Sequence, residues 1–137
     1  MLNLFKSKKK TSHAKVLVVD DEADIISTVQ YRLEFCEFDV ITAVNGKDGL
    51  EKAAGERPDL ILLDINMPIM NGYEMLERLK NNPELKSIPV IVVTAFSDAR
   101  DITKAAEFGI FDYVTKPFDF PKLMEKISNA LGNKFQQ

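Results

Sequence analysis

An α/β fold built on a five-stranded, doubly wound parallel sheet of order 2-1-3-4-5 is predicted by three observations. Short aliphatic runs recur along the chain. Helical patterns of roughly 10–15 residues separate them, which implies parallel strands with right-handed crossovers. The 137 residues suit a single domain on the rough scale of about 100–200 residues each, and 2-1-3-4-5 is a common strand order at that size.

The elements follow in order. Residues 15–20 (KVLVVD), 58–64 (PDLILLD) and 89–94 (PVIVVT) are continuous aliphatic runs, the signature of strands buried on both faces. Residues 38–43 (FDVITA) are half polar and fit a strand nearer an edge, and 110–114 (IFDYV) provide the fifth. Ile25, Ile26, Val29 and Leu33 repeat at helical spacing from Glu22 to about Cys36. Leu50, Ala53 and Ala54 mark a short second helix that Gly55 and Pro58 should end. Asn71-Gly72 precedes a third, with Met75, Leu76 and Leu79 on one face. Ser97 or Asp98 can cap a fourth running to Phe108, with Gly109 placed to stop it. Its apolar face is thin (Ile102, Ala105, Ala106), so it should be the least firmly held element. Asp119 can cap the last helix, with Pro121 in its first turn. Phe120, Leu123, Met124, Ile127 and Leu131 are its apolar residues, and Gly132 follows.

Composition excludes several classes. With 18 Lys and Arg against 21 Asp and Glu, the chain lacks the basic balance of a nucleic-acid binder. One cysteine, Cys36, rules out an internal disulfide or a cysteine-based zinc site and fits a reducing compartment; it reads as a packed thiol. No apolar run nears the 18 or so residues of a membrane span. The five lysines before Val16 leave 13 basic and 21 acidic side chains after it. Residues 1–13 therefore read as a basic, disordered leader in which His13 is a bystander. The reverse order of its apolar and basic parts is not that of a secretory signal. Residues 14–132 are expected to form the domain and 133–137 a tail.

Ligands in open α/β sheets sit beyond the carboxyl ends of the strands. There the first strand is followed by Asp20-Asp21-Glu22 and the third by Asp64; the fourth ends at Thr94, and Lys116 follows the fifth. An Asp-Asp pair alone is often only a helix cap, and a threonine after an aliphatic run only a strand former. The convergence of all of them at one edge is the signal. Carboxylates suit a hard divalent cation such as Mg2+, and no His or Cys lies nearby to favour zinc. Lys116 offers a compact charge to a phosphate oxygen and Thr94 a small donor. Asp64, closing the central strand, is the best candidate for a carboxylate nucleophile. Asp98, Asp101 and Asp112 show no such convergence and read as solvated surface.

With VLVVDDE at 16–22, LILLDINMPIMNGYEML at 60–76, PVIVVTA at 89–95 and DYVTKPF at 112–118, the sequence resembles the receiver domains of two-component response regulators, over about 14–132. The resemblance implies a flavodoxin-like fold and a phosphoryl group accepted on Asp64 from a sensor histidine kinase or histidine phosphotransfer protein. It implies Mg2+ held by Asp20, Asp21, Asp64 and the backbone carbonyl of Asn66, and a cis Lys116-Pro117 bond. Thr94 and Tyr113 would be the switch pair and Lys116 the phosphoryl contact. The changing surface would comprise the fourth helix, fifth strand and fifth helix. Pro68 and Gly72 sit at the family's usual distances after Asp64, whereas Glu37 and Ile110 depart from its pattern. Asn66 and Phe96 stand where the family tunes phosphate lifetime.

A stand-alone, cytoplasmic signalling protein is expected, acting through an unknown protein effector, without direct nucleic-acid contact and compatible with a homodimer through the switching face. It would catalyse only its own phosphorylation and dephosphorylation. The rivals are a Mg2+-dependent aspartyl-phosphate phosphatase, a flavin-type cofactor binder and a receiver-like scaffold that is not phosphorylated. The first lacks a general acid at Asn66, and the second lacks glycines in its acidic first loop.

Overall fold

The computed structural model of the chain describes residues 13–132 apart from Pro68. Within them lie β1 (Lys15–Val19), α1 (Ala23–Phe35), β2 (Asp39–Ala43), α2 (Gly46–Glu56), β3 (Leu60–Leu63), α3 (Gly72–Lys80), β4 (Val90–Thr94), α4 (Ala99–Glu107), β5 (Asp112–Thr115) and α5 (Phe120–Leu131). The sheet runs β2-β1-β3-β4-β5 and every pair is parallel, as predicted.

The aliphatic strands alternate between two cores. Leu17, Val19, Ile61, Leu63 and Val92 pack with Ala53 of α2, Met75, Leu76 and Leu79 of α3, and Ala105 of α4. Val16, Val18, Leu60, Leu62, Ile91 and Val93 pack on the other face with Val29 and Leu33 of α1 and Leu123 and Ile127 of α5. Helices on both faces leave the inner strands no polar side, which is why their sequence shows no alternation.

Caps largely follow the sequence. Asn71 and Glu74 form a reciprocal capping box at α3, Asp98 accepts from the Arg100 N–H at α4, and Asp119 accepts from the Lys122 N–H at α5. Some boundaries differ. Gly55 does not end α2, which runs to Glu56 and stops at Arg57 in a left-handed conformation (φ 51°). Its start is set by Asn45, which accepts from the Asp48 N–H. β5 begins at Asp112 rather than residue 110, because its register against β4 starts with Ile91 opposite Asp112. Ile110 instead packs against the α2–α4 core.

Glu37 takes φ 72° just after α1, a conformation that favours glycine. His13 is half-buried, with Nε2 3.7 Å from a Glu37 carboxylate oxygen. The rest of the expected leader, the 133–137 tail and Pro68 lie outside the described residues.

Candidate functional site

Register builds the site. Val19 of β1 pairs with Leu63 of β3, so the residues one step beyond, Asp20 and Asp64, emerge side by side. The Asp64 N–H donates to the Val19 carbonyl at 3.0 Å, carrying the parallel ladder one step past the strands. Thr94 pairs with Thr115 across β4 and β5, which puts Lys116 at the same edge. Its N–H donates to the Thr94 carbonyl at 2.8 Å. The Lys116-Pro117 bond is cis.

Side chains complete the arrangement. The Lys116 ammonium donates to Asp20 at 2.7 Å, Glu22 at 2.7 Å and Asp64 at 3.2 Å. Asp20, Asp64 and Thr94 are buried, at 3%, 5% and 0% exposure. Backbone N–H groups hold the carboxylates in place: Glu22 donates to Asp20 Oδ1 at 2.9 Å, and Asn66 donates to Asp64 Oδ1 at 3.0 Å. Asp21 is exposed, yet its carboxylate joins those of Asp20 and Asp64 in a cluster whose nearest oxygens all lie within 4.8 Å of one another. An all-oxygen set that is part buried and part open fits a hard divalent cation that retains water.

Electrostatics follow from this crowding. Burial, aided by the Asp64 charge, pushes the Asp20 carboxyl above the usual carboxylate range, against the opposing hydrogen bonds from Lys116 and the Glu22 N–H. Burial works to lower the Lys116 ammonium. Its hydrogen bonds to Asp20 and Glu22 and the charges of Asp64 and Asp20 outweigh that and hold it above its ordinary value.

The two residues expected to form the switch pair, Thr94 and Tyr113, lie beside this centre. Thr94 Oγ1 accepts from the Phe96 N–H at 3.4 Å, and the Tyr113 hydroxyl donates to the Phe96 carbonyl at 2.8 Å. One residue, Phe96, thus bridges the two sequence-predicted switch side chains. Burial, and then the neighbouring Tyr73, Asp101 and Asp64, push the Tyr113 phenol up to about 12, so at neutral pH it remains a donor.

Sequence reasoning missed Glu22, whose carboxylate is taken by Lys116 and makes no capping hydrogen bond at α1. Nothing in DDE separates such a role from an ordinary acidic first turn. Asp98 is exposed as expected, but Asp101 and Asp112 are half-buried. Asp112 pairs with Lys126 at 2.9 Å, and Asp101 receives the Tyr73 hydroxyl at 3.3 Å. Both acids gain partners from helices distant in sequence, which no local pattern reveals.

The response regulator receiver domain family matches residues 16–128. The response regulator ArlR of Staphylococcus saprophyticus is 37% identical over 90% of this chain and 54% of its own length. The alkaline phosphatase synthesis transcriptional regulatory protein PhoP of Bacillus subtilis is 42% identical over 76% of this chain and 42% of its own. The chain therefore spans about half the length of these curated relatives. Among solved structures, chemotaxis protein CheY4 of Vibrio cholerae superposes with TM-score 0.82 at 30% identity, covering 87% of this chain and 99% of that one. A CheY-like receiver domain protein from Methanospirillum hungatei gives 0.83 at 30% identity, covering 90% and 97%. On sequence and on fold alike, the chain belongs to the response regulator receiver domain family of two-component systems.

Proposed function

We propose that this receiver is a phosphorylation-controlled switch in which Asp64 takes a phosphoryl group from a phosphohistidine on a sensor histidine kinase or phosphotransfer protein. The observation that carries this reading is the buried pair Asp20 and Asp64 drawn together by one ammonium, Lys116. An Asp64 carboxylate oxygen attacks phosphorus. The P–N bond breaks, and its electron pair returns to the imidazole, which takes a proton from solvent. Asp20, Asp21, Asp64 and the Asn66 carbonyl would hold Mg2+, which when bound would offset the charge of both the carboxylates and the phosphoryl oxygens. Lys116 turns from the carboxylates to a phosphoryl oxygen, and Thr94 gives up the Phe96 N–H to donate to another. Phe96 and Tyr113 then rearrange together, changing the face formed by α4, β5 and α5, a two-state element biased by a local charge event. This face meets a protein effector, and self-phosphorylation and its reversal are the chemistry the domain carries out. The phosphatase reading needs a general acid where Asn66 stands.

The test is the amide NMR spectrum with Mg2+ and beryllofluoride, a phosphoryl mimic. Shifts are expected around Asp64 and across residues 94–131, and none in Asp64→Asn. The same shifts in that variant would refute the reading.

A further inference from the structure

The thinnest helix has an anchor that the switch described above does not use. Ala105 is the one buried side chain on α4, and Ile102 is 39% exposed. Burial of apolar surface therefore does little to fix this helix on the sheet.

Tyr73, from the first turn of α3, meets it at three places. Its hydroxyl lies 3.3 Å from both the carbonyl and a carboxylate oxygen of Asp101. Lys104 Nζ sits 4.1 Å from the centre of its ring. The Phe108 ring, at the end of α4, lies 6.2 Å away. A hydrogen bond, a cation–π contact and an aromatic pair thus run along one side of α4 from a single residue.

Tyr73 is also tied to the acceptor loop. Its neighbour Gly72 donates its N–H to the Ile65 carbonyl at 3.1 Å. A Cβ on Gly72 would meet the Ile65 backbone and come 2.8 Å from the Asp64 carbonyl oxygen. One residue thus separates the backbone pressed against Asp64 from the side chain that holds α4.

We propose that Tyr73 is a positioning residue that restrains α4 in the unphosphorylated protein, giving the Asp64 loop a second link to α4 besides Thr94, Phe96 and Tyr113. The proposal rests on the phospho-switch reading above. Both hydroxyl contacts are long and half-buried, so the link is weak enough to open when the loop rearranges. Removing the hydroxyl alone loosens α4 and makes the activated arrangement easier to reach.

The experiment is Tyr73→Phe in the full chain, with Tyr31→Phe, at a 70% exposed position, as the control. Hydrogen exchange of the amides of residues 102–108 is followed without metal. Beryllofluoride is then titrated at fixed Mg2+. Tyr73→Phe is expected to speed exchange in α4 by about two- to tenfold, as for loss of one ordinary hydrogen bond, and to tighten beryllofluoride binding within the same range. The control should change neither. Unchanged exchange in α4 would overturn the anchor. Faster exchange with equal or weaker beryllofluoride binding would overturn the coupling. A wild-type chain that does not respond to beryllofluoride at all would instead refute the phospho-switch reading, and the exchange measurement would still decide whether Tyr73 holds α4.

Discussion

Lys116 does part of a cation's work. Among the described residues it is the one ammonium bonded to Asp20, Glu22 and Asp64, and Asp21 adds a further negative charge at the same edge. Removing it leaves two buried carboxylates facing one another with only the Glu22 and Asn66 N–H groups to offset them, and breaking a buried ion pair costs about 3 kcal/mol. Urea unfolding of Lys116→Ala in chelator should therefore show a loss of about 3 kcal/mol relative to the parent chain. Mg2+ should restore part of it, because a divalent ion can replace the missing charge. The same variant should bind Mg2+ about as well as the parent, yet show no beryllofluoride response across α4, β5 and α5. Stability equal to the parent in chelator, or an intact response, would contradict the role given to this residue.

At the scale of elements, two glycines separate close packing from mere composition. Gly72 opens α3 against the Ile65 backbone, so Gly72→Ala must push the helix away from the loop after Asp64 and should cost about 1–3 kcal/mol. Gly55 has no atom within 4 Å of where a Cβ would sit and lies inside α2. Gly55→Ala should add about 0.5–1 kcal/mol by improving helix propensity. Chemical unfolding of the two variants checks the contrast, and equal effects would contradict it. Gly55 also shows where local reading fails. As a residue type it resembles a helix stop, but α2 continues past it because the left-handed turn falls on Arg57. The start of β5 was displaced for a related reason: strand pairing with Ile91 chose the residues, and hydrophobicity alone could not. The caps Asp98 and Asp119 and the weak burial of α4 were legible, since each depends on residues within a single turn. Tyr73–Asp101 and Lys116–Glu22 were not, because they join segments 28 and 94 positions apart.

Across the whole molecule, topology creates the site. Asp20, Asp64 and Lys116 come from three separate strand ends, and the parallel pairing of the strands places those ends at one edge. The acidic and basic residues were readable from the sequence because each follows an aliphatic run. Their distances were not, since they depend on the in-register pairing of Val19 with Leu63 and of Thr94 with Thr115. The two-sided core holds this edge rigid, while α4, attached mainly through polar and aromatic contacts, is left free to respond. Asp64 is the proposed phosphoryl acceptor, and its labelling should need a divalent cation. Intact-mass measurement after incubation with acetyl phosphate tests it most directly. The parent chain should gain one phosphoryl group with Mg2+ and none in chelator, and Asp64→Asn should gain none in either. Undiminished labelling of Asp64→Asn, or equal labelling of the parent chain in chelator, would contradict the account.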